Sequence, residues 1–249
     1  MDKIRNGKFT SSTIVGLISK GKEKGSVGAP FNTLVKQKKQ ERKLGRSIET
    51  DTKSRSMIWG SFVEMWLMYE RPDIIGLEYT LTPKSTKAHP KFENIWVGSK
   101  DGHNNNTKAI IDLKCPFTLT SFCDVADCEN MEDVRKNHKD GEKYYWQIVS
   151  NACIDGLTKG ELMIFVPTLE QLMEIQKYAY DGNFEKYPTY EGNAKDFYFI
   201  SMADEQELPY IELEKSEYNN IIRFPFDIPK EDIEFLTNRV EMAGKLLIN

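Results

Sequence analysis

Residues 109–116, Ala-Ile-Ile-Asp-Leu-Lys-Cys-Pro, form the most informative stretch of this 249-residue chain. The apolar run at 109–111 predicts a buried strand, yet the strand ends on Asp112 and Lys114. Side chains two residues apart in a strand project to the same face, so this acid and base point together while Leu113 points into the core. Buried charges are unfavourable unless they pair with each other or bind an ion. The stretch therefore predicts either a functional charged site at a strand end or a salt bridge on a surface hairpin.

A second carboxylate precedes this strand. Strands predicted at 94–98 and 109–113 are joined by residues 99–108, which contain Asp-Gly and three consecutive Asn, so we expect a β-hairpin with Asp101 at its end. Asp101, Asp112 and a strand carbonyl would make an oxygen-rich site that suits a hard cation such as Mg²⁺. A lysine beside that ion could orient or deprotonate a water, or stabilise charge on a phosphate.

Two helices place polar side chains where they could close around the same site. Apolar residues recur at three- and four-residue steps over 56–71, which predicts a helix that ends at Pro72 and carries Glu64 among bulky apolar neighbours. A later helix at 142–154 carries Gln147 between apolar residues. The alternative for both is an ordinary polar residue on an exposed helix face.

The whole chain reads as one domain of the α+β class, with a central mixed sheet flanked by helices. It divides into a basic helical segment (1–55), a catalytic core (56–167) and an acidic C-terminal part of strands and a closing helix (168–249). Other elements follow from apolar periodicity and turn residues. We expect helices at 14–18, 31–44 and 229–247, and strands at 74–81, 160–167, 197–201 and 210–213.

Charge is distributed unevenly along the chain, although the net charge is only −4. Residues 1–55 carry 14 Lys/Arg against 5 Asp/Glu, whereas residues 160–249 carry 8 against 18. A polyanion such as DNA could bind the basic first fifth, because local charge outweighs total charge over a screening length of about 10 Å; the alternative is a solvated basic helix. Phe31 or Trp59 could stack on a frayed DNA end or belong to the core.

Features that the sequence lacks limit the cellular compartment and the metal cofactors that we expect. No apolar run approaches the roughly 20 residues that a membrane helix needs, and the first 12 residues lack a secretory apolar region, so we expect no membrane association and a cytoplasmic protein. Cys115, Cys123 and Cys128 lack Cys-x-x-Cys spacing, which favours free thiols over a metal cluster. His103 follows Asp101-Gly102 and either approaches the site or is solvated.

Taken together, the ordered motifs resemble those of PD-(D/E)XK nucleases, and within them the phage lambda exonuclease-type, YqaJ-like viral recombinase branch. The resemblance spans residues 5 to about 167. Five motifs carry it, in this order along the chain. They are an Arg followed by Thr-x-Ser (Arg5 with Thr10 and Ser12), an acid in a helix (Glu64), an Asp-Gly (Asp101-Gly102), an acid-x-Lys-Cys-Pro (residues 112–116) and a Tyr-x-x-Gln (Tyr144 with Gln147). Two positions depart from the branch pattern, which usually has proline where Lys100 stands and often glutamate where Asp112 stands.

The resemblance implies a restriction-endonuclease-like core and a role for each matching residue. Asp101, Asp112 and the Leu113 backbone carbonyl would be metal ligands, and Lys114 the catalytic lysine. Glu64 would lie beside the metal, with a possible second ion, and Gln147 would help to hold the lysine or the water. Arg5 and Ser12 would bind the 5′-terminal phosphate of DNA.

The implied activity is a Mg²⁺-dependent 5′-to-3′ double-strand DNA exonuclease of phage-type recombination, with Mn²⁺ able to substitute. The implied partners are double-stranded DNA ends, a single-strand annealing protein and a second and third copy of the chain in a ring-like trimer, in the cytoplasm of a bacterial or phage-infected cell. An endonuclease of the same superfamily and a non-catalytic DNA-binding subunit remain alternatives.

Overall fold

A computed structural model describes residues 4–23, 25–48, 53–82, 85–182 and 194–248. The helices within these ranges begin and end at the following residues: α1 Ala29–Leu44, α2 Arg55–Tyr69, α3 Pro72–Ile75, α4 Leu119–Ala126, α5 Met131–Asn137, α6 Gly141–Asp155, α7 Leu169–Asp181, α8 Ala194–Met202 and α9 Lys230–Ile248. The strands are β1 Phe9–Thr10, β2 Tyr79–Leu81, β3 Lys87–Ala88, β4 Trp96–Gly98, β5 Gly102–Asn104, β6 Ile110–Lys114, β7 Lys159–Phe165 and β8 Ile221–Asp227.

The main sheet has five strands in the order β2-β5-β6-β7-β8, with β6 at its centre. β6 runs antiparallel to β5 and parallel to β7, and the crossover from β6 to β7 contains α4, α5 and α6. A smaller sheet, β1-β4-β3, joins the N-terminal segment to the chain just before β5. The mixed sheets flanked by helices confirm the α+β prediction.

The alternating side chains of β6 divide between two apolar cores. Ile110 packs into the cluster that contains Ile148 and Val149 of α6, whereas Leu113 packs into the cluster that contains Phe62 of α2. Asp112 and Lys114 share the face of Ile110, because side chains alternate along a strand. The predicted directions of these residues are therefore confirmed.

Local sequence signals explain where the two helices beside β6 begin and end. The Ser54 hydroxyl accepts the Met57 N–H at the start of α2, which is the usual N-cap contact. α6 ends at Gly156, whose φ of +70° lies in the left-handed region that glycine adopts without strain.

The prediction paired the wrong strand with β6. β4 pairs with β1 and β3, and β5 is the antiparallel partner of β6. The turn forms at Asn104, whose side-chain oxygen accepts the N–H groups of Asn106 and Thr107. A side chain that bonds the backbone two and three residues later tightens a turn, so the hairpin is shorter than expected and Asp101 directly precedes β5.

Four other sequence predictions need correction. Residues 74–81 contain the end of α3 as well as β2, and residues 14–18 contain a three-residue 3₁₀ turn, Ile14–Gly16. Residues 197–201 lie in α8, because Phe197 and Ile200, three residues apart, both pack into the α2 core. Residues 210–213 contribute one isolated bridge, from Ile211 to Thr168. None of the described helices combines the length and the apolar character that crossing a membrane requires.

Candidate active site

The carboxyl end of β6 opens into a cleft of about 750 Å³. Its walls come from the N-terminal segment, α2, the loop before β5, the end of β6 and α6. Seven of the eight residues predicted for the site line this cleft: Arg5, Ser12, Glu64, Asp101, Leu113, Lys114 and Gln147. The eighth, Asp112, lies fully buried at its base, bonded to two of them. The fold thus brings together residues that are up to 142 positions apart in the sequence.

Asp112 is the centre of the contacts in the cleft. One carboxylate oxygen lies 2.6 Å from the Lys114 Nζ, and the other accepts a hydrogen bond of 2.7 Å from the Gln147 Nε2. The Lys114 side chain is 24% exposed, so the ammonium reaches the cleft while its partner does not. The acid and the lysine form a salt bridge, but at the base of an open cleft rather than on a surface hairpin.

The electrostatics of the pair follow from burial and from neighbouring charges. Burial raises the pKa of Asp112 to about 6 despite the opposing effect of Lys114, and the nearby Asp101 carboxylate adds to the rise. Burial alone would lower the pKa of Lys114, but the charges of Asp112, Asp101 and Glu64 raise it well above its usual value. At neutral pH Lys114 is therefore a cation that can donate hydrogen bonds into the cleft.

Asp101 is held against the strand that carries Asp112. It is buried, and one of its carboxylate oxygens accepts the backbone N–H of Leu113 at 2.8 Å. This bond crosses from the start of β5 to the end of β6 and brings the two carboxylates to the same end of the sheet. The adjacent Lys100 pairs with Asp155, at the end of α6.

Asp155 is a residue that the sequence motifs do not reveal. It lies between Lys100 and Lys87, at 2.5 Å from each, and these contacts hold the pKa of its carboxyl below the usual range although burial alone would raise it. The contacts fasten the segment before Asp101 to the helix that carries Gln147. Where the resembled family has a rigid proline, this chain has a lysine whose position is fixed by an ion pair.

The N-terminal segment forms the wall around Arg5. The guanidinium donates to the Ser99 hydroxyl at 2.9 Å and to the Thr86 hydroxyl at 3.2 Å. Ser12 is exposed, and its hydroxyl lies 3.1 Å from that of Thr10. Because only a short 3₁₀ turn follows Ser12, this wall presents side-chain donors and not the N-terminus of an α-helix.

Two close contacts hold this wall against α6. The buried Ser11 hydroxyl donates to the Asn151 side-chain oxygen at 2.7 Å, and Asn151 in turn donates to the Ser99 carbonyl. Gly98 leaves no room for a side chain, because a Cβ there would collide with Ser11 and Asn151. These contacts between distant segments could not be read from the sequence.

Tyr144 and Lys143 of α6 complete the cleft. The Lys114 ammonium lies 5.6 Å from the centre of the Tyr144 ring, within the range of a cation–π interaction. Lys143 adds a positive charge to the same wall. The Tyr-x-x-Gln pattern thus supplies two contacts, one to each member of the Asp112–Lys114 pair.

The donor set is compatible with a Mg²⁺ ion that keeps most of its water. Within the ranges that the structure describes, no three His, Cys, Asp or Glu side chains converge on one point as a metal cage. Asp101 and Asp112 are nevertheless two buried carboxylates, close enough for the charge of Asp101 to raise the pKa of Asp112. Mg²⁺ commonly binds through one or two carboxylates together with waters and substrate phosphates, so this arrangement fits the ion without further protein ligands.

Comparison with known proteins shows which fold this is. No family model matches the chain, and no curated protein matches it in sequence. Among solved structures, it is similar to the alkaline exonuclease LHK-Exo from Laribacter hongkongensis, also solved in complex with dAMP, at 15% identity and a TM-score of 0.59. In the dAMP complex the match covers 99% of this chain and 90% of that one.

A second protein of known structure has the same fold. A phage-related exonuclease from Haemophilus somnus 129PT has a TM-score of 0.63 at 15% identity, with 96% of this chain and 93% of that one covered. The chain therefore has the fold of alkaline and phage-related exonucleases over nearly its whole length, including the C-terminal part outside the sequence motifs.

Proposed function

We propose that this chain is a divalent-metal-dependent nuclease that degrades double-stranded DNA from its 5′ ends. The observation that carries the proposal is the buried Asp112, whose carboxylate contacts both Lys114 and Gln147. A second buried carboxylate, that of Asp101, lies beside it, and both are at an open cleft. The fold shared with solved exonucleases supports it. Mg²⁺ is the proposed ion, with Mn²⁺ able to replace it, since both prefer oxygen ligands.

Each residue of the cleft has a proposed role in phosphodiester hydrolysis. Asp101, Asp112 and the Leu113 carbonyl would hold the ion, and Glu64, which lines the cleft from α2, would hold a second ion or its waters. The bound ion would lower the pKa of a water and stabilise charge on the phosphate. Lys114, kept protonated by its neighbours, would orient that water and stabilise the developing phosphate charge, while Gln147 would hold Asp112 in place.

A comparison of three DNA forms tests the proposed reaction. Linear duplex, nicked circle and covalently closed circle would be incubated with Mg²⁺ and separated on a gel. We expect progressive loss of the linear duplex while the closed circle survives, because an exonuclease needs an end. Cutting of the closed circle would instead support the endonuclease, and absence of cleavage with both Mg²⁺ and Mn²⁺ would support a non-catalytic DNA-binding protein.

Arg5 and Ser12 are proposed to bind the 5′-terminal phosphate, since a guanidinium and a hydroxyl point into the same cleft as Lys114. We expect wild type to degrade 5′-phosphorylated duplex roughly 10-fold faster than 5′-hydroxyl duplex, because hydrogen bonds to charged groups contribute about 1.5–3 kcal/mol. Arg5→Ala should bring the ratio of the two rates close to one. The rates would be measured from the release of acid-soluble nucleotides.

Arg46→Ala provides the matched control for this measurement. Arg46 is an exposed arginine of the same basic segment and does not line the cleft, so its removal should leave the ratio unchanged. Equal rates on both kinds of end with wild type would contradict the phosphate pocket without affecting the proposed hydrolysis.

The oligomeric state, the protein partner and the location are proposed from the resemblance alone. A ring-like trimer, a single-strand annealing protein and a cytoplasmic location stay predictions, and sedimentation of the purified chain would test the first of them.

A further inference from the structure

A second cavity, of about 200 Å³, lies beside the cleft. It is lined by the first residue of α2, the loop after β6, the end of α8 and the turn that follows α8. Its lining is mainly aromatic and apolar, with one positive and one negative side chain: Phe117, Phe199, Met202, Leu208, Arg55 and Glu207. We call it the Phe117–Phe199 pocket.

The aromatic groups of this pocket have a fixed arrangement. The rings of Phe117 and Phe199 meet edge to face, with centroids 6.3 Å apart. The Arg55 guanidinium lies over the Phe199 ring, 5.3 Å from its centre. A phenyl ring and a planar guanidinium are the two kinds of surface on which a nucleobase stacks in single-stranded DNA complexes.

The pocket adjoins the proposed catalytic cleft, because Phe117 lines both cavities. Phe117 is three residues from Lys114, and a chain of three residues spans at most about 11 Å. The connecting loop is held by a hydrogen bond of 3.0 Å from the Trp59 indole to the Pro116 carbonyl. A DNA strand rises about 3.4 Å per nucleotide in the duplex, so the backbone positions of Phe117 and Lys114 are no farther apart than about three nucleotides of such a strand.

The chemistry of the pocket suits a base and not a phosphate. Glu207 would repel a phosphate, but its carboxylate can accept a hydrogen bond from the exocyclic amino group of adenine, cytosine or guanine. Arg55, whose guanidinium lies over the Phe199 ring, can neutralise the phosphate that follows the base. Trp59 and Phe31, the aromatic residues that the sequence offered for stacking on DNA, are fully buried in the core and cannot do so.

We propose that the Phe117–Phe199 pocket binds one unpaired nucleobase of the DNA strand that is being cut. This inference rests on the proposed nuclease function and adds a subsite that would hold the substrate strand through a base near the scissile phosphate. An unpaired base is required because the flat face of a paired base is covered by its neighbours in the stack. The pocket would therefore favour strand ends that have begun to separate.

The test uses duplexes in which one base is missing. Four 5′-phosphorylated duplexes would carry an intact strand or a single abasic site at the first, second or third nucleotide, and their Kd values would be measured with Ca²⁺ in place of Mg²⁺. With wild type, we expect the abasic site at one of the three positions to weaken binding roughly 10-fold. With Phe199→Ala, the same abasic duplex and the intact duplex should bind alike.

Two further variants separate loss of the pocket from damage to the fold. Phe199→Leu keeps most of the apolar volume but removes the ring, and it should also lose the difference between the duplexes. Tyr198→Ala changes the exposed neighbour on α8, which does not line the pocket, and should retain the roughly 10-fold difference. A merely structural defect would weaken binding to all four duplexes equally and leave the difference intact.

The outcomes for the pocket and for the proposed function are distinct. If wild type cleaves DNA but no abasic position weakens binding, or if Phe199→Ala keeps the full penalty, the pocket does not bind a base while the nuclease assignment stands. If wild type neither binds nor cleaves DNA with any of the three ions, both proposals fail.

Discussion

Lys114→Ala is expected to reduce DNA hydrolysis by about 10³-fold or more. The Lys114 ammonium lies in the cleft, 2.6 Å from the carboxylate of the buried Asp112. Removing a preorganised electrostatic group or an acid–base group from an active site typically lowers the rate by 10²- to 10⁴-fold. The measurement is the initial rate on linear duplex at saturating Mg²⁺, with Lys230→Ala, an exposed lysine of α9, as the control.

The same variant has a pH-dependent effect on stability that checks the geometry independently of activity. Without Lys114, the pKa of Asp112 should rise further above its usual value, because the opposing charge is gone. A raised folded-state pKa means that the folded state keeps its proton longer than the unfolded state, so stability falls as pH rises through that pKa. The melting temperature of Lys114→Ala should therefore fall further below wild type at pH 8 than at pH 5. Full activity with a normal melting curve would contradict the assignment of Lys114.

Asp112→Asn should abolish binding of the proposed ion and lower activity more than 100-fold. Removing a residue that only orients a metal ligand lowers metal affinity or activity 10- to 100-fold. Asp112 is proposed as a ligand itself, so its replacement should have a larger effect. Asparagine can still accept the Gln147 hydrogen bond, but it removes the charge shared with Lys114. Mn²⁺ titration followed by electron paramagnetic resonance measures the binding without any cleavage.

Wild type should also bind Mn²⁺ more weakly as the pH falls through about 6, since protons then compete for Asp112. Asp227→Asn, at an exposed carboxylate of β8, is the matched control and should bind Mn²⁺ as wild type does. Unchanged Mn²⁺ binding by Asp112→Asn would show that the ion is held elsewhere.

The interior of the candidate site was largely predictable because its signals are local. Alternation along β6 determines that Asp112 and Lys114 share a face, and three- to four-residue spacing identifies the helices that carry Glu64 and Gln147. These rules depend on backbone geometry alone, so they hold whatever the rest of the chain does. The resemblance then supplied roles for the residues, which the structure brings to one cleft and which remain proposals.

The pairing between strands and the secondary structure of the C-terminal part could not be predicted in this way. A turn-rich segment indicates that the chain reverses but not which strands meet: the turn at Asn104 joins β5 to β6, whereas β4 lies in the other sheet. The segment 197–201 is rich in aromatic residues that favour strands, yet it is helical because Phe197 and Ile200 fill a space beside α2. Such packing depends on partners far away in the sequence.

By itself, the sequence determined the α+β class, the strand that ends on an acid and a lysine, and the two helices beside it. Only the tertiary structure decided that Asp101 bonds the backbone of Leu113, that Asp155 holds Lys100, and that Phe117 and Phe199 form a pocket next to the cleft. The physical reason is the range of the interactions involved. Strand alternation and helix periodicity arise from neighbouring residues, whereas these three contacts join segments that are at least a dozen residues apart in the sequence.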